Sequence, residues 1–166
     1  CTHGLGPICQ AMGINRGDRI TRLVSMETAA RGFVEYAAAK VPNDDWRGRL
    51  GIDMGDLNTT LVQTENGLTI MLQHGIANPR PYSRINRYVG TRGIMSDYPY
   101  RVTWEDDVGA GAHRYFSEER AEKVREEYMH PLWRYAGKLA VEVGGHDGMD
   151  LVMDLRWAYC MQNDLP

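Results

Sequence analysis

The chain has 166 residues, of which 43% are hydrophobic and 25% charged, a balance typical of a globular protein with room for one core. The formal net charge of −3 and the lack of a basic stripe argue against a nucleic-acid partner. No apolar run is long enough to cross a membrane, so no membrane partner is expected either. The three cysteines, Cys1, Cys9 and Cys160, have neither disulfide-type nor metal-type spacing and do not identify a compartment.

The N-terminal quarter predicts a short helix and a strand. Residues 2–13 indicate a loop that enters a helix, with Pro7 in the first turn and a glycine at the end. Residues 19–26 alternate well enough for a strand, and the alternation places Ile20 and Val24 on its inner face.

A second helix, a long loop and a hairpin follow. The Ala-rich residues 28–40 predict a helix, and residues 42–56, which lack periodicity, predict a surface loop. Residues 58–64 and 68–75 read as two strands joined by a turn that contains Asn-Gly. Asn and Gly tolerate the positive φ angles of a tight hairpin turn, so the hairpin is the clearest local prediction in the chain.

The segment after the hairpin, residues 78–84, carries two prolines that fix φ and stiffen a short loop. It holds Arg80, Tyr82 and Arg84 at the end of a strand. A rigid loop that presents an aromatic ring and two guanidinium groups is well suited to a binding site.

The second half of the chain predicts short strands followed by helices. The strands are expected at 85–90, 93–96 and 98–104, and the helices at 118–130, 131–143 and 148–163. Ser117 and Asp147 are the predicted N-caps of the first and third helix. A Gly-Gly pair should end the second helix.

This order of elements predicts an α+β fold, in which an open, largely antiparallel sheet has helices packed on one face. The other face of such a sheet needs water or another subunit. The length fits a single domain, 1–166. Because the chain opens at Cys1 without an initiator methionine, we expect it to be a fragment of a longer protein.

Two side chains stand out as candidates for chemistry. His3 could transfer protons near neutral pH, although a histidine without a role is the simpler interpretation of the pattern alone. Tyr82 could stack on a sugar and donate a hydrogen bond, or it could be a half-buried strand residue. Arg80 and Arg84 could bind a carboxylate or phosphate, or form ordinary surface ion pairs.

Two other kinds of site find little support. The run from His146 to Asp150 lacks a recognised ligand spacing, so no metal site is predicted. Gly4 and Gly6 lead into no βαβ unit, so the chain has no dinucleotide-binding fold of its own.

Five blocks of sequence, in this order, resemble one family of glycosidases. They are THGLGP at 2–7, INRGDR at 14–19, GDLNTT at 55–60, PRPYSR at 79–84 and GGHDGMD at 144–150. The family is that of the NAD-dependent glycosidases typified by α-N-acetylgalactosaminidase, within the Gfo/Idh/MocA oxidoreductase superfamily. The resemblance covers the C-terminal part of these proteins and not their Rossmann domain. In the last block, Asp147 stands where the family pattern has a glycine.

The resemblance implies a glycoside hydrolase that uses NAD and acts on N-acetylgalactosamine-like sugars by transient oxidation at C3, elimination and addition of water. It implies proton transfer by His3 and a substrate contact by Tyr82. It also implies cofactor contacts by Cys1, Thr2 and His3, although most of the NAD would be held by the missing N-terminal domain. The implied partners are the carbohydrate, that Rossmann domain, and further copies of the chain bound through the open sheet face.

Two alternatives remain open from the sequence. A sugar dehydrogenase of the same superfamily would consume NAD(P) stoichiometrically. A non-catalytic dimerisation module would use the open sheet face alone.

Overall fold

A computed structural model describes residues 2–42, 44–75, 77–79, 81, 84–105 and 114–165. The chain divides into two compact units, residues 1–88 and 89–166, and each is described by itself. The boundary falls within a strand, β4, which spans Asn86–Val89.

The first unit contains two helices, a short 3₁₀ helix and a three-stranded sheet. In chain order these are α1 (Thr2–Ala11), β1 (Ile20–Glu27), α2 (Gly32–Lys40), a 3₁₀ helix (Trp46–Arg49), β2 (Leu57–Thr64) and β3 (Thr69–Gly75). The sheet has the order β1-β2-β3 with both pairs antiparallel. The predicted hairpin is therefore confirmed, and the 3₁₀ helix is the only regular element within the described part of the predicted loop 42–56.

The buried side of this sheet lies in β2 and β3 and not in β1. Val62 and Ile70 pair across these two strands and are 5% and 3% exposed. The prediction of an inner face for β1 is wrong, because Ile20 is 41% and Val24 61% exposed. All eight residues of β1 are exposed, whereas β3, the other edge strand of this sheet, buries Ile70.

Both helices of the first unit begin at positions that differ from the prediction. Helix α1 starts already at Thr2, so Pro7 lies in its interior and not in its first turn. As predicted, the helix ends at a glycine: Gly13 has φ +65°, and Ile14 N–H donates to the Cys9 carbonyl at 3.0 Å. Helix α2 begins at Gly32, four residues later than predicted from the Ala-rich run.

The second unit begins with short strands. Beside β4, the chain forms β5 (Gly93–Asp97) and β6 (Arg101–Trp104), in the order β4-β5-β6. The pair β5-β6 is antiparallel. The predicted turn before β5 forms, and in it the Gly90 N–H donates to the Gly93 carbonyl oxygen at 2.9 Å.

Three helices complete this unit: α3 (Glu118–Glu127), α4 (Pro131–Val143) and α5 (Met149–Gln162). Helix α3 lies against β6, where the Trp104 and Phe116 rings meet edge-on with centroids 4.7 Å apart. Ser117 caps α3 as predicted, since its hydroxyl accepts from Arg120 N–H at 3.4 Å. Helix α4 spans the predicted residues and packs on α5.

The predicted cap of α5 is wrong. Asp147 has φ 56° and lies inside a 3₁₀ turn, Gly148 takes the N-cap position, and α5 has no side-chain cap hydrogen bond. Gly148 is buried against α4, where an added Cβ would lie 2.6 Å from the Ala140 carbonyl carbon. This close approach explains why the helix starts at a glycine.

The α+β class with open antiparallel sheets is confirmed. The described strands form two three-stranded sheets. No helix in the described residues is both long and apolar enough to span a bilayer.

Candidate functional site

His3 lies on the first turn of α1 and is exposed. No acidic side chain lies in the first turn of α1. The structure therefore places the predicted proton-transfer residue at an exposed position of a helix. Cys1 lies outside the described residues.

The end of α1 is tied to the hairpin through Asp18. The carboxylate of Asp18 accepts from the N–H groups of Arg19 at 2.8 Å and Asn66 at 3.1 Å, and Asn66 also donates its side-chain amide to the Gly17 carbonyl. The Thr64 hydroxyl and these backbone donors hold the pKa of Asp18 below its usual range, against the effect of burial. The sequence block 14–19 thus connects the helix of His3 to the sheet.

The loop after β3, which carries the predicted sugar contact, is described only in part. Tyr82 and Arg80 lie outside the described residues, so their roles stay predictions. Arg84 is described and is half-buried. Because Tyr82 lies outside the described residues, the structure gives no distance between Tyr82 and His3.

Asp56 binds the start of α2, a role that the sequence did not predict. Its carboxylate is 8% exposed and accepts three backbone N–H groups at the start of α2, from Arg31 at 3.0 Å, Gly32 at 2.7 Å and Phe33 at 3.3 Å. These bonds satisfy donors that a helix leaves unpaired and place a negative charge at its positive end. The hydrogen bond from Gly32, and then those from Arg31 and Phe33, lower the pKa of Asp56 although burial opposes them.

The start of α2 and Asp56 also lie close to Ala77, at the beginning of the partly described loop. A Cβ added to Gly32 would lie 3.2 Å from the Ala77 carbonyl oxygen and 3.5 Å from Asp56 Oδ2, so α2, Asp56 and Ala77 are in close contact. Gly55 lies so close to Thr28 that a side chain there would overlap the Thr28 carbonyl. The block 55–60 therefore fixes the N-terminus of α2 against the backbone that leads to Tyr82.

The block 144–150 contains a His–Asp pair on an unusual backbone. His146 Nδ1 lies 3.0 Å from both carboxylate oxygens of Asp150. Five consecutive residues from Gly144 to Gly148 have positive φ, between 44° and 91°. The φ of 56° at Asp147 lies in the left-handed region that favours glycine. Within the described residues, no three His, Cys, Asp or Glu side chains gather closely enough to hold a metal ion.

A family model described as "Glycosyl hydrolase 109, C-terminal domain" matches residues 1–166. The chain belongs to this family. A glycosyl hydrolase family 109 protein of Solibacter usitatus is 42% identical over 99% of this chain and 36% of its own length. A family 109 protein of Shewanella amazonensis is 43% identical over 99% of this chain and 36% of that protein. A protein of Shewanella oneidensis named alpha-N-acetylgalactosaminidase is 45% identical over 98% of this chain and 35% of that protein.

The glycosyl hydrolase 109 chain thus spans about a third of the length of these relatives. The resemblance drawn from its five blocks is confirmed at the level of the family. In the structure, three of the blocks contain carboxylates that make defined local contacts. Asp18 lies beside the hairpin turn, Asp56 binds the start of α2, and Asp150 lies beside His146. These three features belong to the fold of this chain, whereas the roles of His3 and Tyr82 remain predictions.

Proposed function

We propose that this chain is the substrate-binding half of an NAD-dependent glycosidase that removes a terminal, α-linked N-acetylgalactosamine-like sugar. The observation that carries the proposal is membership of glycosyl hydrolase family 109. The 45% identity to a relative named alpha-N-acetylgalactosaminidase supports the choice of sugar and anomer. The chain spans about a third of that relative, so the activity is proposed for the full-length protein.

The cofactor contacts of this chain would come from Cys1, Thr2 and His3, and no acidic side chain in the first turn of α1 would repel the phosphates of NAD. NAD, when bound, supplies the hydride acceptor for the sugar C3 and the hydride donor that later restores it. Most of its binding surface would come from a Rossmann domain in the length that this chain does not span.

Within this scheme His3 accepts the proton of the sugar C3 hydroxyl as that carbon becomes a ketone. The ketone acidifies the neighbouring C2–H, a base accepts that proton as the group on C1 leaves by elimination, and water adds to the resulting double bond. Tyr82 would stack on the sugar ring and hold it by a hydrogen bond. Exposure of His3 on α1 is consistent with access to a substrate.

The full-length protein is expected to release nitrophenol from a nitrophenyl N-acetyl-α-galactosaminide without added NAD and without net NADH, because the cofactor is restored in every turnover. Stripping the bound NAD should abolish release, and adding NAD should restore it. Absorbance at the nitrophenol and NADH bands measures both products. Accumulation of NADH would instead identify a sugar dehydrogenase, and neither product would identify an assembly module.

We also propose that copies of the chain assemble through the open face of the first sheet. Val24, Leu61 and Met71 form a row across its three strands, and each is more than half exposed. A row of apolar side chains on an open antiparallel sheet is a surface that another subunit can cover.

Leu61→Lys, in the middle strand, should weaken self-association by about 10-fold or more, because it places a charge in the centre of the apolar row. Light scattering after size-exclusion chromatography over a range of concentrations measures this. Ala39→Lys adds the same charge at an exposed position of α2 and should leave the assembly intact. An unchanged mass for Leu61→Lys would show that this face is not the interface.

A further inference from the structure

A cavity of about 510 Å³ lies between the C-terminal part of α3 and α4, within the second unit. Arg125 of α3 and Met129 of the turn between the helices line it, and α4 contributes Trp133 and Val141. The volume falls within the roughly 300–1,000 Å³ of cavities that bind small molecules. The proposed glycosidase site uses none of these residues.

The indole of Trp133 can lie against α4 because residue 137 is a glycine. A Cβ added to Gly137 would lie 2.7 Å from Cε3 of the Trp133 ring and 3.4 Å from its Cδ2 and Cζ3. Glycine is a weak helix former, so this contact, which a side chain would break, explains its place inside α4. The tryptophan remains 38% exposed and therefore offers an aromatic surface to a ligand in the cavity.

The two helices that form the walls are joined next to the cavity. Arg134 Nη2 donates to the carbonyl oxygens of Glu126 and Glu127, the last two residues of α3, at 2.7 Å each. A positive charge is favourable at these carbonyls, because they lie at the negative end of the helix dipole. The contact fixes the backbone beside Arg125, which precedes Glu126 and lines the cavity.

The charged side chains around the cavity give it a net positive charge. Arg125 and Lys138 are its cations, and Glu142 is the carboxylate among the described residues that line it. In the described part of the chain Lys138 forms no ion pair. Arg125 lies 3.5 Å from Glu122, and both side chains are more than half exposed, so this pair is weak. An anionic group on a ligand would therefore meet cations that are not already neutralised.

We propose that this cavity binds a small aromatic carboxylate, with its ring against Trp133 and its carboxylate beside Lys138 and Arg125. Met129 and Val141 supply further apolar contact to the ring. A neutral ring would lack the attraction of the cations, and a non-aromatic anion would lack the stacking contact. The inference does not depend on the glycosidase function, because it concerns binding alone.

The test measures binding to the full-length protein by titration calorimetry with 2-naphthoate and with two analogues that each lack one feature. The neutral 2-naphthamide lacks the charge, and decahydro-2-naphthoate lacks the aromatic rings. We expect 2-naphthoate to saturate at one molecule per chain. Each analogue should bind about 2- to 10-fold more weakly, the range for loss of exposed charge pairs or of an aromatic contact.

Substitutions separate the two contacts. Lys138→Gln should weaken 2-naphthoate about 2- to 5-fold and leave 2-naphthamide unchanged. Gly137→Ala should weaken both about 2- to 10-fold, because the added Cβ displaces the Trp133 ring, whereas circular dichroism should show the helix retained. Lys123→Gln is the matched control, since it removes the same charge from an exposed position of α3 outside the cavity. It should leave the binding of 2-naphthoate unchanged.

The opposite results would each contradict the proposal. Lack of saturable binding would show that the cavity is covered or too open to hold the ligand. Equal affinity for 2-naphthoate and 2-naphthamide would show that the cations take no part, and equal affinity for decahydro-2-naphthoate would show the same of stacking. Binding that neither Lys138→Gln nor Gly137→Ala weakens would place the ligand elsewhere. Glycoside hydrolysis by the full-length protein is a separate measurement that none of these results decides.

Discussion

Replacement of His3 by alanine in the full-length protein is expected to lower kcat by about 100- to 10,000-fold, the range typical of a lost proton-transfer group. The substrate is held by other side chains, so KM should change much less than kcat. His3→Gln should give the same loss, since glutamine keeps hydrogen-bonding capacity but cannot carry the proton near neutral pH. Release of nitrophenol at saturating and limiting glycoside separates kcat from KM.

His74→Ala is the matched control, because His74 is an exposed histidine on β3 to which no role is assigned. It should retain the turnover of the unsubstituted protein. Retention of bound NAD by His3→Ala, read from the protein's absorbance, would separate loss of proton transfer from loss of cofactor. Turnover of His3→Ala within about twofold of the unsubstituted protein would contradict the catalytic assignment.

The elements that could be predicted from sequence are those whose signals are local. The hairpin follows from an Asn-Gly turn between two β-prone runs, but the prediction of positive φ at both turn residues is wrong, because Gly67 adopts it, at 83°, and Asn66 does not. Helix α4 follows from Pro131 at its first position and Gly144 at its end. In each case the residues that determine the element lie within it or next to it.

Features that depend on distant residues could not be predicted. The start of α2 is set by Asp56, which lies 24 residues from Gly32, and so the Ala-rich run alone placed the helix too early. The exposure of Ile20 and Val24 depends on what packs against β1, which alternation within the strand does not specify. Asp147 is a residue type that often caps helices, but in the structure it lies inside a 3₁₀ turn with φ 56°.

The candidate site also combines features that local sequence predicts with features that depend on distant residues. His3 was singled out as a residue type, but its place on the first turn of a helix follows from the earlier start of α1. A cavity of about 440 Å³ between α2 and the segment that follows the 3₁₀ helix joins side chains that are up to 21 positions apart, from Phe33 to Met54, without periodicity between them. Neither its volume nor its lining could be derived before the fold was known.

Asp56→Ala in the full-length protein is expected to raise the hydrogen-exchange rate of the amides at the start of α2 by about 5- to 30-fold, the loss expected when a helix cap is removed. Three N–H groups lose their acceptor at once, and one of them belongs to Gly32, a weak helix former. Exchange measured by mass spectrometry on peptides that cover α2 gives this rate. Asp154→Ala, at an exposed carboxylate of α5, should leave the exchange of α2 unchanged.

The pH dependence of this protection has a definite sign. The pKa of Asp56 is lower in the folded chain than in the unfolded one, so its stabilisation is complete above about pH 4 and is lost as pH falls through the lowered pKa. Asp56→Asn keeps one acceptor oxygen without the charge, so it should exchange at an intermediate rate and lose this pH dependence. If the exchange of α2 had the same pH dependence in Asp56→Asn and in the unsubstituted protein, Asp56 would not act as a charged cap.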